Sequence, residues 1–249
     1  TMVKSCLMKK KQKKNSWLTI VIPCKNEEKY IYNTLESISK QVNVDVETIK
    51  IYVADANSTD GTIEKINQAK NDFNLDLKII KGGPVAVGRN NGAKLVKTPY
   101  VLFMDADATL ENPMILSYSM YYTLKYKELI TCKLKSTSND FLSKLFFSSF
   151  NLIQKYFFKE PFSTGVYFFT TKEKFDKLGG FDETVTQSED YLLSRKYNKS
   201  KFHILNMYVG QDNRRFKKMG YFGFLKFLLK NYINRNNINH FRKDFNYWT

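Results

Sequence analysis

Four short apolar runs, Leu18–Pro23, Thr48–Ala54, Leu75–Ile80 and Tyr100–Met104, recur along the first part of the chain, rich in Ile, Val, Tyr and Phe. Runs of this length and composition, bounded by turn residues or acids, read as buried strands. The segments between them carry helical spacing. Ile31, Leu35 and Ile38 share one face of a helix expected over Glu27–Lys40, a second runs from the Asn57–Thr62 turn to about Lys70, and a third covers Val85–Val96 after Gly82-Gly83-Pro84. Strands alternating with helices of this length predict an α/β fold, a mostly parallel sheet with helices on both faces. In such sheets ligands bind beyond the carboxyl ends of the strands.

Beyond Thr109 the alternation loosens. Met114–Lys127 reads as a helix, Leu129–Lys133 as a strand, Asn139–Phe158 as an aromatic, partly amphipathic stretch, Val166–Thr170 as a strand and Thr171–Leu178 as a short helix. A Gly179-Gly180 turn follows, Glu189-Asp190 opens a further helix, and the tail from Tyr221 is basic, aromatic and helical in pattern. The chain divides into a basic arm (1–16), a first half (17–107), a second half (108–219) and a basic aromatic tail (220–249).

Three acidic features lie just past expected strands or at a helix start. Asp55 ends the second strand, where its carboxylate can accept from a base or ribose while the next helix N-terminus faces phosphates. Equally, Asp55 and Asn57 can simply organise a turn. Asp105-Ala-Asp107 emerges from the very apolar fourth strand, and paired carboxylates there suit a hard divalent cation that also binds phosphate oxygens. Such a cation stabilises charge on a diphosphate leaving group. Ser188-Glu189-Asp190, read alone, is a solvated acid favoured by the helix dipole; held in a cleft, it can act as a general base.

The formal net charge is +16, from 40 Lys and Arg against 24 Asp and Glu. That excess calls for a negative partner: nucleic acid, an anionic membrane surface or a phosphate-bearing substrate. The three cysteines, Cys6, Cys24 and Cys132, are scattered, so neither a disulfide framework nor a zinc site is indicated, and a reducing compartment is expected. No apolar window is long enough for a spanning helix. A glycan on the Asn57 sequon would block the expected nucleotide pocket, which favours a cytosolic face.

The order of the short motifs adds more than any one of them. Ile-Val-Ile-Pro-Cys-Lys-Asn-Glu-Glu (20–28), Val-Ala-Asp-Ala-Asn-Ser-Thr-Asp-Gly-Thr (53–62), Gly-Arg-Asn-Asn-Gly-Ala (88–93), Val-Leu-Phe-Met-Asp-Ala-Asp (101–107), Gly-Gly-Phe-Asp-Glu (179–183) and Ser-Glu-Asp (188–190) together resemble the family 2 inverting glycosyltransferases of the GT-A fold, over about residues 17–215. The resemblance implies transfer of a sugar from a nucleotide-sugar, UDP-linked before GDP-linked, to a hydroxyl or lipid-linked acceptor. The first half would hold the donor and the second half the acceptor. Pro23, Asn26 and Glu27 would shape the base pocket and Asp55 would bond the base. Arg89 would face the nucleotide or its phosphates. Asp105 would touch ribose or metal, and Asp107 would bind Mg²⁺ or Mn²⁺. Asp190 would be the general base, supported by Glu189.

Two departures stand out. Ala56 occupies a position where family members often carry a second acid. Gln211-Asp-Asn-Arg214-Arg215 is similar to the Gln-x-x-Arg-Trp signature of processive synthases, with arginine for tryptophan; lacking an expected spanning helix, the chain is not expected to make polymer. Arg214 and Arg215 suit bidentate phosphate clamping as well as they suit a charged surface. His203, in an expected strand, reads as a core or surface histidine before a metal ligand.

Phe141, Leu142, Leu145, Phe146 and Phe150 recur at near-helical spacing, as a core face or as a wall for a lipid-linked acceptor. The tail interleaves Phe222, Phe224, Leu225 and Leu228 with Lys226 and Lys230, the pattern of a helix lying in an anionic membrane interface. Peripheral association with the cytosolic face of a membrane is therefore expected. The competing classes are a basic nucleic-acid-binding α/β protein, a nucleotidyltransferase and a catalytically silent relative. The first leaves the strand-end acids unexplained, so no nucleic-acid partner is expected. The second lacks a glycine-rich triphosphate loop near the first strand. Asp55, Asp105, Asp107 and Asp190 argue against the third.

Overall fold

The computed structural model describes residues 16–243, apart from the Arg215 side chain. Residues 1–15 of the expected arm and 244–249 of the tail lie outside the described residues. Strands β1 (Leu18–Cys24), β2 (Lys50–Asp55), β3 (Leu77–Lys81) and β4 (Tyr100–Phe103) pair in parallel in the order β3-β2-β1-β4. Helices α1 (Ile31–Ser39), α2 (Thr62–Asp72) and α3 (Val85–Leu95) connect them. Because side chains alternate across a strand, Leu18, Ile20 and Ile22 pack with Ile31, Leu35 and Ile66 of α1 and α2, whereas Val21 packs with Ala86 and Ala93 of α3. The expected helices on both faces are thus present. On the α3 side the approach is close. A Cβ on Gly92 would lie 2.3 Å from Val21 Cγ1, so only glycine lets this helix settle on β1.

The sheet continues through the second half as β4-β7-β6-β8-β5, giving eight strands. These are β5 (Ala108–Leu110), β6 (Leu129–Ser136), β7 (Phe168–Thr171) and β8 (Phe202–Gln211). β7 runs antiparallel to β4 and β6, and β5 antiparallel to β8. The helices here are α4 (Ile115–Leu124), α5 (Phe141–Tyr156), α6 (Lys172–Lys177), α7 (Glu189–Ser194), α8 (Arg214–Met219), α9 (Tyr221–Ile233) and α10 (Ile238–Phe241). Two connections decide where the functional groups meet. The β5–β8 register sets Ala108 opposite Gln211, bringing the Asp105–Asp107 turn beside the Gln211–Arg214 turn. The β4–β7 pairing carries the segment after α5 back against the end of β4.

α5 and α9 differ from the other helices in what they leave uncovered. Phe141, Leu142, Leu145, Leu152, Phe222 and Leu229 are all more than half exposed. Among the described residues no helix is long and apolar enough to cross a membrane.

Candidate active site

The loops closing β1 and β2 are stitched together by small polar groups. Asp55 accepts from Ser58 N–H (3.1 Å) and Ser58 Oγ (2.5 Å), a turn of the kind Asp side chains form. Asn26 adopts φ 54°, a left-handed conformation that Asn tolerates. Its Oδ1 accepts from Thr59 N–H (2.9 Å), and its own N–H donates to Ser58 Oγ (2.9 Å). Pro23 is half-buried at the end of β1, opposite Ala54. Gly82 seals the third side: a Cβ there would lie 2.5 Å from the Ala54 carbonyl. Pro23, Asn26 and Asp55 therefore share one rim at the carboxyl ends of β1 and β2.

The second cluster is built from buried charge. Arg89 on α3 is 1% exposed. It donates to Asp105 (2.6 Å), forms a short ion pair with Glu189 at the start of α7, and lies over the Phe181 ring at 5.2 Å. Both of its terminal nitrogens are thus already paired with carboxylates. Space for it exists because residue 165 is glycine; a Cβ there would come within 1.9 Å of Arg89 Nη2. The same Gly165 donates its N–H to Asp190 Oδ2 (2.5 Å), while Tyr191 N–H donates to Oδ1 (2.6 Å). Three carboxylates, Asp105, Glu189 and Asp190, face this one guanidinium. Burial, partly offset by Arg89, pushes the Glu189 carboxyl up to about 7 and raises Asp190 as well. A raised carboxylate is a base closer to its working range.

The tail holds this acidic segment from behind. Ser188 sits at φ 58°, a left-handed turn that redirects the chain into α7. Asn231 of α9 donates to Ser188 Oγ (3.2 Å), and His240 of α10 contacts Asn231 Oδ1 (2.8 Å). Thr186 N–H donates to the Phe241 carbonyl (2.9 Å). On the other flank, Asn90 bonds both the N–H and the carbonyl of Phe181 (3.1 and 2.9 Å).

A third group joins the two halves. Arg214, at the start of α8, reaches Glu27 with both terminal nitrogens (2.6 and 2.8 Å) and Asp107 with one (2.9 Å). Its ring neighbour is Tyr30, at 5.1 Å. Burial raises the Glu27 carboxyl, against the pull of Arg214. Of the expected arginine pair, Arg214 thus stands beside Asp107, and the Arg215 side chain lies outside what is described.

Asp105 and Asp107 offer oxygen donors only, at 9% and 5% exposure. Among the described residues no three His, Cys, Asp or Glu side chains are grouped as a metal cage. The pair fits a hard cation that completes its shell with phosphate oxygens and water, as Mg²⁺ does, rather than a metal enclosed by protein. His203 is elsewhere, stacked on Tyr122 at 3.8 Å.

Two residues that sequence reasoning missed are central here, Gly165 and Asn90. Asn90 was within reach, since it follows Arg89 in a quoted motif. Gly165 gave no local signal.

The cluster around Arg89 opens onto a cavity of about 1050 Å³, lined at its polar end by Arg89, Asp105, Glu189 and Asp190 and elsewhere by side chains of α5 and α9. Comparison with known proteins places the architecture. The model of glycosyl transferase family 2 matches residues 19–179. The poly(ribitol-phosphate) beta-glucosyltransferase of Bacillus spizizenii is 28% identical over 138 residues, 54% of this chain and 22% of that protein. This chain thus spans about a fifth of the length of the curated relative it matches. Among solved structures, S. aureus TarS 1–349 in complex with UDP-GlcNAc has a TM-score of 0.63 at 20% identity, covering 80% of this chain and 59% of that one. The mannosyltransferase PcManGT from Pyrobaculum calidifontis, in complex with GDP-Man and Mn²⁺, has a TM-score of 0.63 at 18% identity, covering 84% and 62%. The α/β sheet is the GT-A arrangement expected. With the family model covering more than half of its residues, the chain belongs to glycosyl transferase family 2.

Proposed function

We propose that the protein transfers a glycosyl unit from a nucleoside diphosphate sugar, UDP-linked in preference to GDP-linked, to an acceptor hydroxyl with inversion at the anomeric carbon. The observation that carries this reading is the meeting of Asp190, fixed by two backbone N–H groups, with Asp105 from the end of β4 around the Arg89 guanidinium. In the proposed reaction Asp190 takes the proton of the acceptor hydroxyl. The acceptor oxygen then bonds to the anomeric carbon as the bond from that carbon to the diphosphate oxygen breaks. The electron pair of the broken bond leaves with the nucleoside diphosphate. Glu189 and Arg89 hold the segment carrying Asp190 and do not themselves meet the sugar. Pro23, Asn26, Glu27 and Asp55 form the wall against the nucleotide base.

Asp105 and Asp107 would hold Mg²⁺ or Mn²⁺, which when bound supplies positive charge to the leaving diphosphate. Arg214, already beside Asp107, can add a guanidinium fork to the same phosphates. Calorimetric titration of UDP and GDP, with and without Mn²⁺, tests the reading against Asp107→Ala. The expected result is metal-dependent binding of one nucleotide that the substitution removes. No binding of either nucleotide in any condition would return the chain to a catalytically silent role.

The exposed apolar side chains of α5 and α9, beside the exposed Lys144, Lys226 and Lys230, also support the expected placement on an anionic membrane surface. Co-sedimentation with vesicles containing phosphatidylglycerol at low salt tests it, and a protein left wholly in the supernatant would end it.

A further inference from the structure

The cavity that begins at Asp190 does not end with polar residues. It runs on between α5 and α9, past Leu145, Phe150 and Ile153 on one side and Leu225, Leu228 and Tyr232 on the other. Phe146 of α5 meets Phe224 of α9 at 5.4 Å between ring centroids, and Phe158, just past the end of α5, meets Tyr232 of α9 at 5.5 Å, so these contacts bracket the space between. At about 1050 Å³ it matches the upper end of small-molecule sites. The sugar and diphosphate of a nucleotide-sugar, hydroxylated and charged, have nothing to place along a channel of phenylalanine and leucine.

The two ends of the cavity differ in chemistry and are continuous in space. At the acidic end Thr164 Oγ1 is buried without a hydrogen-bond partner, a cost that a bound hydroxyl would relieve. At the other end Leu145 and Leu225 are 52% and 44% exposed although they line the space, so their apolar surface is not covered by the described residues. Lys144 and Lys226, each one residue from a lining leucine, are exposed. An occupant that satisfies all of this is amphiphilic. It carries a hydroxyl at one end and a hydrocarbon chain at the other, and it can tolerate an anionic group near the lysines.

We infer that the acceptor is such an amphiphile: its hydroxyl lies against Asp190 and its hydrocarbon chain lies in the channel between α5 and α9. This rests on the transferase reading above, whose base-binding rim of Pro23, Asn26, Glu27 and Asp55 does not line the channel.

The test uses n-alkyl β-D-glucopyranosides with methyl, hexyl, octyl and decyl chains, below their micelle concentrations, titrated into the whole protein by calorimetry. A buried methylene strengthens binding about fourfold, so affinity is expected to climb steeply from hexyl to decyl, with the methyl compound weakest. Leu145→Gln and Leu225→Gln, both at partly exposed positions that tolerate a polar side chain, are expected to flatten that climb at least tenfold at the decyl compound. UDP affinity should be unchanged in both variants, which reports that they are folded and that the donor site is intact. Affinity independent of chain length, or a chain-length dependence that survives both substitutions, would overturn the assignment. Failure of nucleotide binding with the chain-length series intact would instead remove the transferase reading and leave an amphiphile-binding channel.

Discussion

The rim at the ends of β1 and β2 and the cluster around Arg89 hold their polar groups by opposite means. At the rim, Asn26, Asp55, Ser58 and Thr59 bond one another through backbone and hydroxyl groups close to water. Around Arg89, the guanidinium, Asp105 and Glu189 are buried and depend on each other, with Asp190 partly exposed beside them. Water can replace a lost bond at the rim. At the cluster it has little access, and removing one charge strands its buried partners. The rim is therefore a surface that can adjust to a ligand, and the cluster is a fixed frame for the Asp190 carboxylate.

The largest test of that contrast is at Asp190 itself. Asp190→Asn can keep only one of the two backbone bonds, because its amide nitrogen donates rather than accepts, and it removes the base, so turnover should fall about 10²- to 10⁴-fold while nucleotide affinity stays within about twofold. Steady-state rates beside calorimetry give both numbers, and unchanged turnover would take Asp190 out of the base role. Next is Arg89→Met, which fills much of the same volume and leaves Asp105 and Glu189 buried without their cation. A loss of about 3–5 kcal/mol is expected in urea unfolding. A loss under 1 kcal/mol would mean that the cluster is wetter than its burial implies.

The pH dependence sharpens the same point. Because burial raises Asp190, the rising limb of kcat with pH should lie above the ordinary aspartate range of about 3.9. Stability carries the matching sign. Glu189 releases its proton more readily unfolded than folded, so stability should decline as pH climbs from about 4.3 toward about 7. Glu189→Gln should flatten that decline; an unaltered slope would assign it to other groups. The smallest effect belongs to the rim, where Ser58→Ala should cost about 1 kcal/mol. A cost as large as that of Arg89→Met would erase the distinction between the regions.

What the sequence disclosed follows the same line. The strand-end acids were legible because a run such as Tyr100–Phe103 can only be a buried strand, and whatever follows it must surface at the sheet's carboxyl edge. Helices α1 to α3 were legible for similar reasons. β5, with three residues, and α8, with its run of basic residues, carry too little periodicity to be seen. Arginine is usually exposed, so nothing local foretold that Arg89 would be sealed in. The role of Gly165 depends on a guanidinium brought to it by α3, and a glycine's neighbours in space are not written beside it in the chain. Likewise Arg214 meets Glu27 across 187 positions.

That separation also orders assembly. On the ribosome the chain emerges from its N-terminus, and β1 to β4 can pair among themselves while β8 is still inside the exit tunnel. Glu27 and Asp107 then wait at an open acidic edge for Arg214, and Ser188 waits longer for Asn231 of α9. Closing loops of such length is slow compared with forming local helices. The Glu27–Asp107 edge and the Ser188 turn are therefore completed only by segments synthesised after them, Arg214 first and Asn231 later.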